Sequence, residues 1–292
     1  MKPLFFISIL IIFLHAESVL VINSNAKVKK YTQAIDAFGK NFKHDFSVID
    51  ISQMSAKTIK NYLYDEYPDT IYAVGAKAYQ YANEYLPEKT IYFSSIIDYG
   101  KFPMQGKRYG IINELHNEMQ LTLIKSVFPD VRSLGVIYSE YTQNIMNDLR
   151  QNAQKVGITI TPLKISEHFN KRTKVEKLVK TSDAFMIIPD PVFLSDEARV
   201  EEFFDISKQY KKAVIAYHEL FINYGAVLAI SVDNPTIGRQ IAMMMQSHQT
   251  NEQIVPIQYP AGTHIIFNQH EATDLGVAYN PNISQIATKI LE

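Results

Sequence analysis

The chain has 292 residues, of which 47% are hydrophobic and 20% charged, so it can bury two cores of about 130 residues each and is too apolar to be disordered. Its 29 Lys and Arg nearly balance its 30 Asp and Glu, so no overall field favours nucleic acid or anionic lipid as a partner. The absence of cysteine excludes disulfides, thiolate nucleophiles, Fe–S clusters, Cys-type zinc sites and a lipidated N-terminal cysteine.

The N-terminal segment has the pattern of a secretory signal. Lys2 precedes an apolar run at residues 4–14, and small residues follow around Ala16. The run is shorter than the roughly 20 apolar residues that a membrane span requires. We therefore predict a signal peptide over residues 1–18 and a periplasmic protein. An uncleaved tether, or a buried first strand and helix, is the alternative.

Beyond residue 18, short β-branched runs alternate with amphipathic windows, a pattern typical of a parallel sheet covered by helices on both faces. In the first helical window Val28, Tyr31, Ile35 and Phe38 recur at spacings of three and four. In this half of the chain we predict strands at 19–23, 46–50, 70–74 and 90–93 and helices at 27–42, 56–64 and 76–85.

The alternation resumes after an irregular crossing segment at residues 98–108, which contains two glycines and a proline. Near the end of the chain, Asn234 and Pro235 are a helix cap and a first helical residue. The second half is predicted to hold strands at 133–138, 158–163, 184–188, 213–217, 227–232, 256–259 and 264–268, and helices at 114–128, 143–156, 171–180, 195–210, 236–249 and 283–291.

These elements predict an α/β protein made of two doubly wound parallel-sheet lobes joined by a hinge. Lobe 1 is predicted to comprise residues 19–112 and 233–252, and lobe 2 residues 113–232 and 253–292. A chain that visits one lobe, then the other, and then both again is expected to form a hinged pair with a cleft.

Sequence motifs of common catalytic and cofactor sites are missing. There is no G-x-S-x-G elbow, no G-x-G-x-x-G after the first strand, no phosphate-binding G-x-x-x-x-G-K-[ST] and no H-E-x-x-H. No two histidines have the i, i+4 spacing of helical metal ligands. We therefore expect no enzyme activity, no cofactor, no metal and no nucleic acid as a partner.

Polar residues follow many of the predicted strands, at the edge where open α/β sheets bind ligands and where helix N-termini offer backbone N–H groups. Hydroxyl and amide groups can hold a carboxylate there, and Asp or Glu an ammonium, which suits an amino acid better than a polyphosphate. The same residue types cap helices, so capping alone is the alternative at each position. The candidate ligand-binding residues are Ser24, Gly75, Ala76, Ser94, Ser95, Asp98, Ser139, Glu140, Thr142, Asp190, Tyr217, His218 and Asp233.

Three stretches give the chain a resemblance to a known family. They are MQLTLIK running to FPD at 119–130, LGVIYSE at 134–140, and GAVLA through to IGRQ at 225–240. With these, nearly all of the mature chain resembles the ABC-transporter substrate-binding proteins of the periplasmic-binding type I class, which includes tryptophan- and phenylalanine-binding members. The resemblance implies a two-lobed, hinge-bending, non-catalytic protein that traps a small solute, often an amino acid, and presents it to a membrane permease.

Some positions of this chain carry the residue types common in this family, and others do not. Asp98, Glu140 and Asp233 fall where the family carries acidic residues, whereas Gly75 and Ala76 stand where it commonly has a Gly-Thr pair. We expect the protein to be a monomer that captures a small ligand, an amino acid, in an interlobe cleft for an ABC importer. A ligand that contacts both lobes is expected to bind the closed form selectively and so to shift the population toward it.

Two other functions remain open at this point. A periplasmic sensory subunit that signals to a membrane receptor would use the same cleft with a different partner. An envelope enzyme is the third alternative, although no nucleophile–base pair or metal set is visible in the sequence.

Overall fold

The structure is a computed structural model that describes residues 18–96, 99–169, 171–250 and 252–292. The predicted signal peptide lies outside the described residues apart from Ser18, and so does the candidate residue Asp98. In chain order the strands are β1 (Val19–Asn23), β2 (Phe46–Asp50), β3 (Thr70–Val74), β4 (Thr90–Ser94), β5 (Arg108–Ile111), β6 (Ser133–Tyr138), β7 (Thr159–Lys164), β8 (Ala184–Ile187), β9 (Ala213–Ala216), β10 (Leu228–Val232), β11 (Ile257–Gln258), β12 (Thr263–Asn268) and β13 (Lys289–Leu291).

Helices alternate with these strands through most of the chain. No helix among the described residues is both long and apolar enough to cross a bilayer. The helices are α1 (Lys29–Asn41), α2 (Ala56–Glu66), α3 (Ala76–Tyr85), α4 (Asn117–Val127), α5 (Gln143–Lys155), α6 (Arg172–Thr181), α7 (Pro191–Leu194), α8 (Glu197–Gln209), α9 (Asn234–Gln249) and α10 (Gln269–Leu275).

The described chain divides into two compact units. Unit 1 comprises residues 18–112 and 238–258, and unit 2 comprises residues 113–237 and 259–292. The predicted lobes differ from these units at 233–237 and 253–258. β11 adds to the sheet of unit 1 beside β5, and the start of α9 packs on unit 2, where Asp233 N–H donates to the Gly262 carbonyl at 3.2 Å. That the units act as lobes of a binding protein stays a prediction.

Unit 1 is built on a parallel sheet in the strand order β11-β5-β4-β3-β1-β2. All five residues of β1 are buried, as expected for a strand covered on both faces. Helices α1 and α9 touch through Gly238, where a Cβ atom would lie only 2.0 Å from the Ala34 carbonyl oxygen. Only glycine therefore permits this close packing of the two helices.

Unit 2 is built on a larger sheet in the order β13-β12-β10-β9-β8-β6-β7, parallel except where β12 runs against β10. Consecutive residues of β6 belong to two different hydrophobic clusters. Val136 belongs to the cluster that contains Leu121 of α4 and Met146 of α5, and Ile137 belongs to the cluster that contains Val175 of α6 and residues of α8. Because consecutive side chains of a strand point to opposite faces of its sheet, this alternation shows that helices cover both faces of the unit 2 sheet. The prediction of an α/β protein with two parallel-dominated sheets is confirmed.

The predicted terminal helix at 283–291 is wrong. Ile283–Gln285 forms only one 3₁₀ turn, and Lys289–Leu291 is strand β13, which pairs with β12 from Ile266↔Lys289 onward. Thr288 fixes this register, because its N–H donates to the Ile265 carbonyl at 2.8 Å and its hydroxyl accepts the Ile265 N–H at 3.0 Å. The open edge of β12 thus offers backbone partners that override the helical pattern.

Several short elements were absent from the sequence prediction. β5 has four residues and includes Gly110, whose Cα lies against the ring of Phe93, so the strand shows little of the β-branched pattern. α7 and α10 have four and seven residues, too few for a helical period to stand out.

Candidate functional site

The carboxyl edge of the unit 1 sheet brings three predicted site segments together. Because β1, β3 and β4 are in parallel register, Asn23 lies opposite Val74, and Val74 opposite Ser94. Ser24 begins the first loop, and its hydroxyl accepts the Ala78 N–H of α3 at 2.9 Å. Ala76 is the first residue of α3, so this loop is tied directly to a helix N-terminus.

Gly75 is held in a conformation that favours glycine, with φ +88. A Cβ at this position would lie 2.7 Å from Ser24 Oγ and 2.8 Å from Tyr31 Cζ, so the Tyr31 ring covers Gly75. Burial raises the pKa of Tyr31. The sequence pattern placed Tyr31 only on a helix face; its position in the first turn of α1, the helix that follows β1, is the signal that could have marked it.

Ser94, the last residue of β4, and Ser95, which follows it, differ in their partners. The Ser94 hydroxyl lies 2.8 Å from the Tyr72 hydroxyl, and burial raises the pKa of Tyr72. Ser95 has φ +59, is 2% exposed, and its Oγ has no hydrogen-bond partner among the described residues. A left-handed, buried serine with an unused hydroxyl is an arrangement found at ligand-contacting positions.

In unit 2 the predicted residues Ser139, Thr142 and Asp190 bind to one another. Asp190 is fully buried, and its carboxylate accepts the Ser139 N–H at 2.6 Å, the Thr142 hydroxyl at 2.5 Å and the Phe193 N–H at 2.8 Å. The network joins the turn after β6 to the start of α7. The polar groups of these three residues are therefore engaged in holding two loops in place, as the capping alternative predicts.

Three further predicted residues of unit 2, His218, Asp233 and Glu140, also lie at helix starts. The His218 Nδ1 accepts the Leu220 N–H at 3.2 Å, and Asp233 accepts the Thr236 N–H at 3.0 Å together with the Thr236 hydroxyl, which caps α9. The predicted cap Asn234 is instead the first residue of the helix. Glu140 is exposed at the first position of the 3₁₀ turn Glu140–Thr142.

A groove of about 290 Å³ opens at the carboxyl ends of β8, β9 and β10, entirely within unit 2. We call it the unit 2 groove. Its sides come from the first turns of α4 and α5 and from Tyr259. The floor is apolar and the rim is polar. The apolar lining is Leu115, Ile145, Met186, Ile187, Ile188, Pro189, Ile230 and Val232, and the polar lining is Asn113, Glu114, Asn117, Gln120, Asn144, Asp148, Tyr217, Ser231 and Tyr259.

Internal bonds hold the rim of the unit 2 groove in place. Asn117 Nδ2 donates to the Asp148 carboxylate at 2.6 Å, which joins the start of α4 to α5. The Gln120 amide donates to the Leu115 carbonyl at 3.0 Å. Tyr217 packs on Phe221 with ring centroids 5.6 Å apart, and burial raises the pKa of Tyr217.

Of the predicted site residues, Tyr217 lines the unit 2 groove. Sequence reasoning missed the rim at residues 113–120 and the Asn144 and Asp148 side chains. The polar stretch Asn-Glu-Leu-His at 113–116, just before α4, is the available signal, but the helix predicted at 114–128 includes all of it except Asn113. Since α4 begins at Asn117, residues 113–116 form a loop at the groove.

Comparisons with known proteins agree with this architecture. A family model described as ABC transporter substrate binding protein matches residues 33–291. Among solved structures, a ligand-free, open substrate-binding protein with adhesive properties from Clostridium difficile is 17% identical, with a TM-score of 0.73, and the match covers 94% of this chain and 99% of that one. No curated protein is similar enough in sequence to count as a match.

Two further solved structures have the same fold. Each match covers 94% of this chain and 99% of the chain to which it is compared. An ABC domain from Streptococcus pneumonia in complex with L-Trp is 15% identical with a TM-score of 0.59. A conserved domain protein from Vibrio cholerae is 19% identical with a TM-score of 0.58. At these identities the likeness establishes the fold alone.

Proposed function

Because the chain belongs to the family of ABC transporter substrate-binding proteins, we propose that it captures a small solute, an amino acid, and delivers it to an ABC importer. The family is one of substrate-binding proteins and not an enzyme class. Its members serve a membrane transporter, so the importer's permease is the partner we propose, and the signal-like N-terminus supports a periplasmic location.

The unit 2 groove is the observation that carries this proposal. It lies beyond the carboxyl ends of parallel strands, where open α/β sheets bind ligands, and it combines an apolar floor with a few polar side chains. Such a surface can remove the hydrocarbon part of a small molecule from water while the rim fixes its polar groups. A volume of about 290 Å³ suits a solute of amino-acid size.

Two features support an amino acid as the solute. In unit 2, Glu114 and Asp148 provide oxygens of the kind that hold an ammonium group. The solved Streptococcus pneumonia neighbour, which is in complex with L-Trp, adds the same ligand class from a distant relative.

The direct test is a thermal-shift screen of the protein against amino acids, short peptides, purines and organic acids, followed by calorimetric titration. A solute at 100 times its dissociation constant should stabilise the protein by about 2.7 kcal/mol. Val232→Phe fills the unit 2 groove and should abolish binding, whereas Leu220→Phe, on an exposed side chain of the same unit, should preserve it. Equal binding by both variants would show that the solute sits elsewhere.

A further inference from the structure

A second pocket lies at the amino edge of the unit 1 sheet, at the opposite end of its strands from the predicted site loops. Parallel register aligns the first residues of three strands there, Val19 with Thr70 and Thr70 with Thr90. Lys107 extends this row, because its carbonyl accepts the Ile91 N–H of β4 at 3.0 Å. Side chains of one such row lie on the same face of a sheet.

Helices α1 and α9 cover this face but leave space at the row of first residues. Phe42, which follows the last residue of α1, lines that space together with Met245 and His248 near the end of α9. The space has a volume of about 160 Å³ and lies entirely within unit 1. We call it the amino-edge pocket.

The amino-edge pocket is positively charged. Lys107 lines it, and there is no Asp or Glu among its described lining residues. The Lys107 ammonium is exposed and has no ion pair or hydrogen bond within the described part of the chain. The guanidinium of the next residue, Arg108, is buried and engaged by Asn83 and by backbone carbonyls, so Lys107 is the cation that a ligand in this pocket would meet.

Two further side chains of the lining can donate hydrogen bonds. Thr90 is half-buried, and its hydroxyl has no hydrogen-bond partner among the described residues. The His248 ring is held in place, because its Nδ1 lies 2.6 Å from the Tyr92 hydroxyl and its edge packs on Tyr109 with centroids 4.6 Å apart. In the tautomer in which Nδ1 accepts from Tyr92, Nε2 carries the proton and is a donor.

The helix ends beside the pocket have their last carbonyls engaged, which offsets part of the partial negative charge of a helix C-terminus. At the end of α1, the Asn41 carbonyl accepts the Gln246 side-chain N–H at 3.0 Å, and the Ala37 carbonyl accepts the Asn41 side-chain N–H at 2.7 Å. At the end of α9, the Thr250 N–H donates to the Gln246 carbonyl at 3.2 Å and the Thr250 hydroxyl donates to the Ser247 carbonyl at 3.0 Å. The charge of Lys107 therefore dominates the pocket.

The rest of the lining limits the size and polarity of a ligand. Val19, Phe42 and Met245 are buried and offer hydrocarbon and thioether surface, so a ligand with a short apolar part would cover them better than a bare inorganic ion. The volume of about 160 Å³ is well below the roughly 300 Å³ at which pockets for drug-sized molecules begin.

We propose that the amino-edge pocket binds a small organic carboxylate. The Lys107 ammonium, the Thr90 hydroxyl and the His248 ring bind its oxygens, and its short hydrocarbon part packs on the apolar side of the pocket. This site is separate from the unit 2 groove and goes beyond the proposed solute capture, because its residues all belong to unit 1.

The test is an NMR titration of the isotope-labelled full chain with acetate, propionate and butyrate. We expect at least one of these carboxylates to cause saturable shifts of the Thr90 and Lys107 amide signals. n-Butanol and n-butylamine have the skeleton of butyrate without its negative charge, and neither should cause these shifts. The same titration of Val232→Phe should give an unchanged affinity, since that substitution lies in the other unit.

Variants assign the binding to named side chains. Lys107→Gln should weaken the carboxylate at least about tenfold, whereas Lys107→Arg keeps the charge and most of the affinity. Thr90→Val removes the hydroxyl with little change of shape and should weaken binding about tenfold. Lys57→Gln, an exposed lysine of α2 outside the lining, is the matched control and should change nothing.

Three results would overturn the inference. They are the absence of saturable shifts with all three carboxylates, equal affinities of Lys107→Gln and Lys57→Gln, and equally tight binding of chloride or inorganic phosphate at the same amides. Failure of the amino-acid screen would contradict the proposed function alone, since that screen concerns the unit 2 groove.

Discussion

The buried carboxylate of Asp190 provides a strict test of how the unit 2 groove is positioned. Asp190 follows Pro189, which lines the groove, and its three hydrogen bonds fix the loop between β8 and α7. Replacing Asp190 by alanine removes all three bonds at a residue that is fully buried. We expect loss of stability in unit 2 and loss of solute affinity together.

The size of the effect follows from the groups left behind. Asp190→Ala strands the Phe193 N–H and the Thr142 hydroxyl, while the Ser139 N–H keeps a longer bond of 3.3 Å to Thr142 Oγ1. Each unsatisfied buried group costs about 1–3 kcal/mol, so the expected loss is about 2–6 kcal/mol. Asp190→Asn keeps one acceptor oxygen for the Phe193 N–H, and the Thr142 hydroxyl can turn to accept. The Ser139 N–H loses its 2.6 Å carboxylate acceptor and keeps the 3.3 Å bond to Thr142 Oγ1, so the expected loss is smaller, about 1–3 kcal/mol.

Urea unfolding followed by hydrogen exchange and mass spectrometry measures this loss separately in each unit. Peptides from residues 113–237 should lose protection at lower urea in Asp190→Ala, while peptides from 18–112 should not change. Asp130→Asn is the control for removing a carboxylate from the same unit. A loss below about 1 kcal/mol in Asp190→Ala, or an equal loss in both units, would refute the assigned role of the network.

Further predictions concern backbone fit and pH. Gly238→Ala forces a Cβ to within 2.0 Å of the Ala34 carbonyl oxygen, so urea unfolding should show a loss of about 3 kcal/mol or more, and a loss under about 1 kcal/mol would contradict the close packing of α1 and α9. Gly75→Ala, at φ +88, should cost about 1–3 kcal/mol in urea unfolding, and an unaltered unfolding midpoint would contradict the described contacts. Burial would raise the pKa of Asp183, but hydrogen bonds from two backbone amides and a serine hydroxyl outweigh it and hold the pKa below its usual value. A carboxyl whose pKa is lower in the folded state than its unfolded value of about 3.9 stabilises the protein above that unfolded value, and this stability is lost as pH falls through the folded value. In urea titrations, the difference in unfolding free energy between the protein and Asp183→Asn should therefore stay constant from about pH 6 to 8. It should shrink below about pH 4.

Much of the fold could be predicted because buried strands are short runs of apolar residues and amphipathic helices have apolar residues at spacings of three and four. β1, β2 and β3 appear at the predicted residues, because each is a short stretch rich in β-branched and aromatic or leucine side chains that is bounded by polar turns. Elements whose partners are distant in the chain were harder to predict. β13 is a strand because the edge of β12 is open to it, which no local pattern reveals.

The candidate site was less predictable, for a physical reason that the Asp190 network makes plain. Polar residues after strand ends serve either a ligand or the loop itself, and the sequence does not show which hydrogen bonds are satisfied internally. Ser139 and Asp190 satisfy each other, whereas Ser95 keeps an unused hydroxyl. Rim residues such as Asp148 come from a helix turn that faces the groove through tertiary packing.

The most direct test of solute capture is native mass spectrometry of the protein after equilibration with an equimolar mixture of the common amino acids and removal of excess solute. The account predicts that one amino acid, or a narrow set with a shared side-chain class, is retained at one molecule per chain and that Val232→Phe loses it. Retention of none, or equal retention by the protein and by Val232→Phe, would contradict the claim that this chain captures an amino acid in the unit 2 groove.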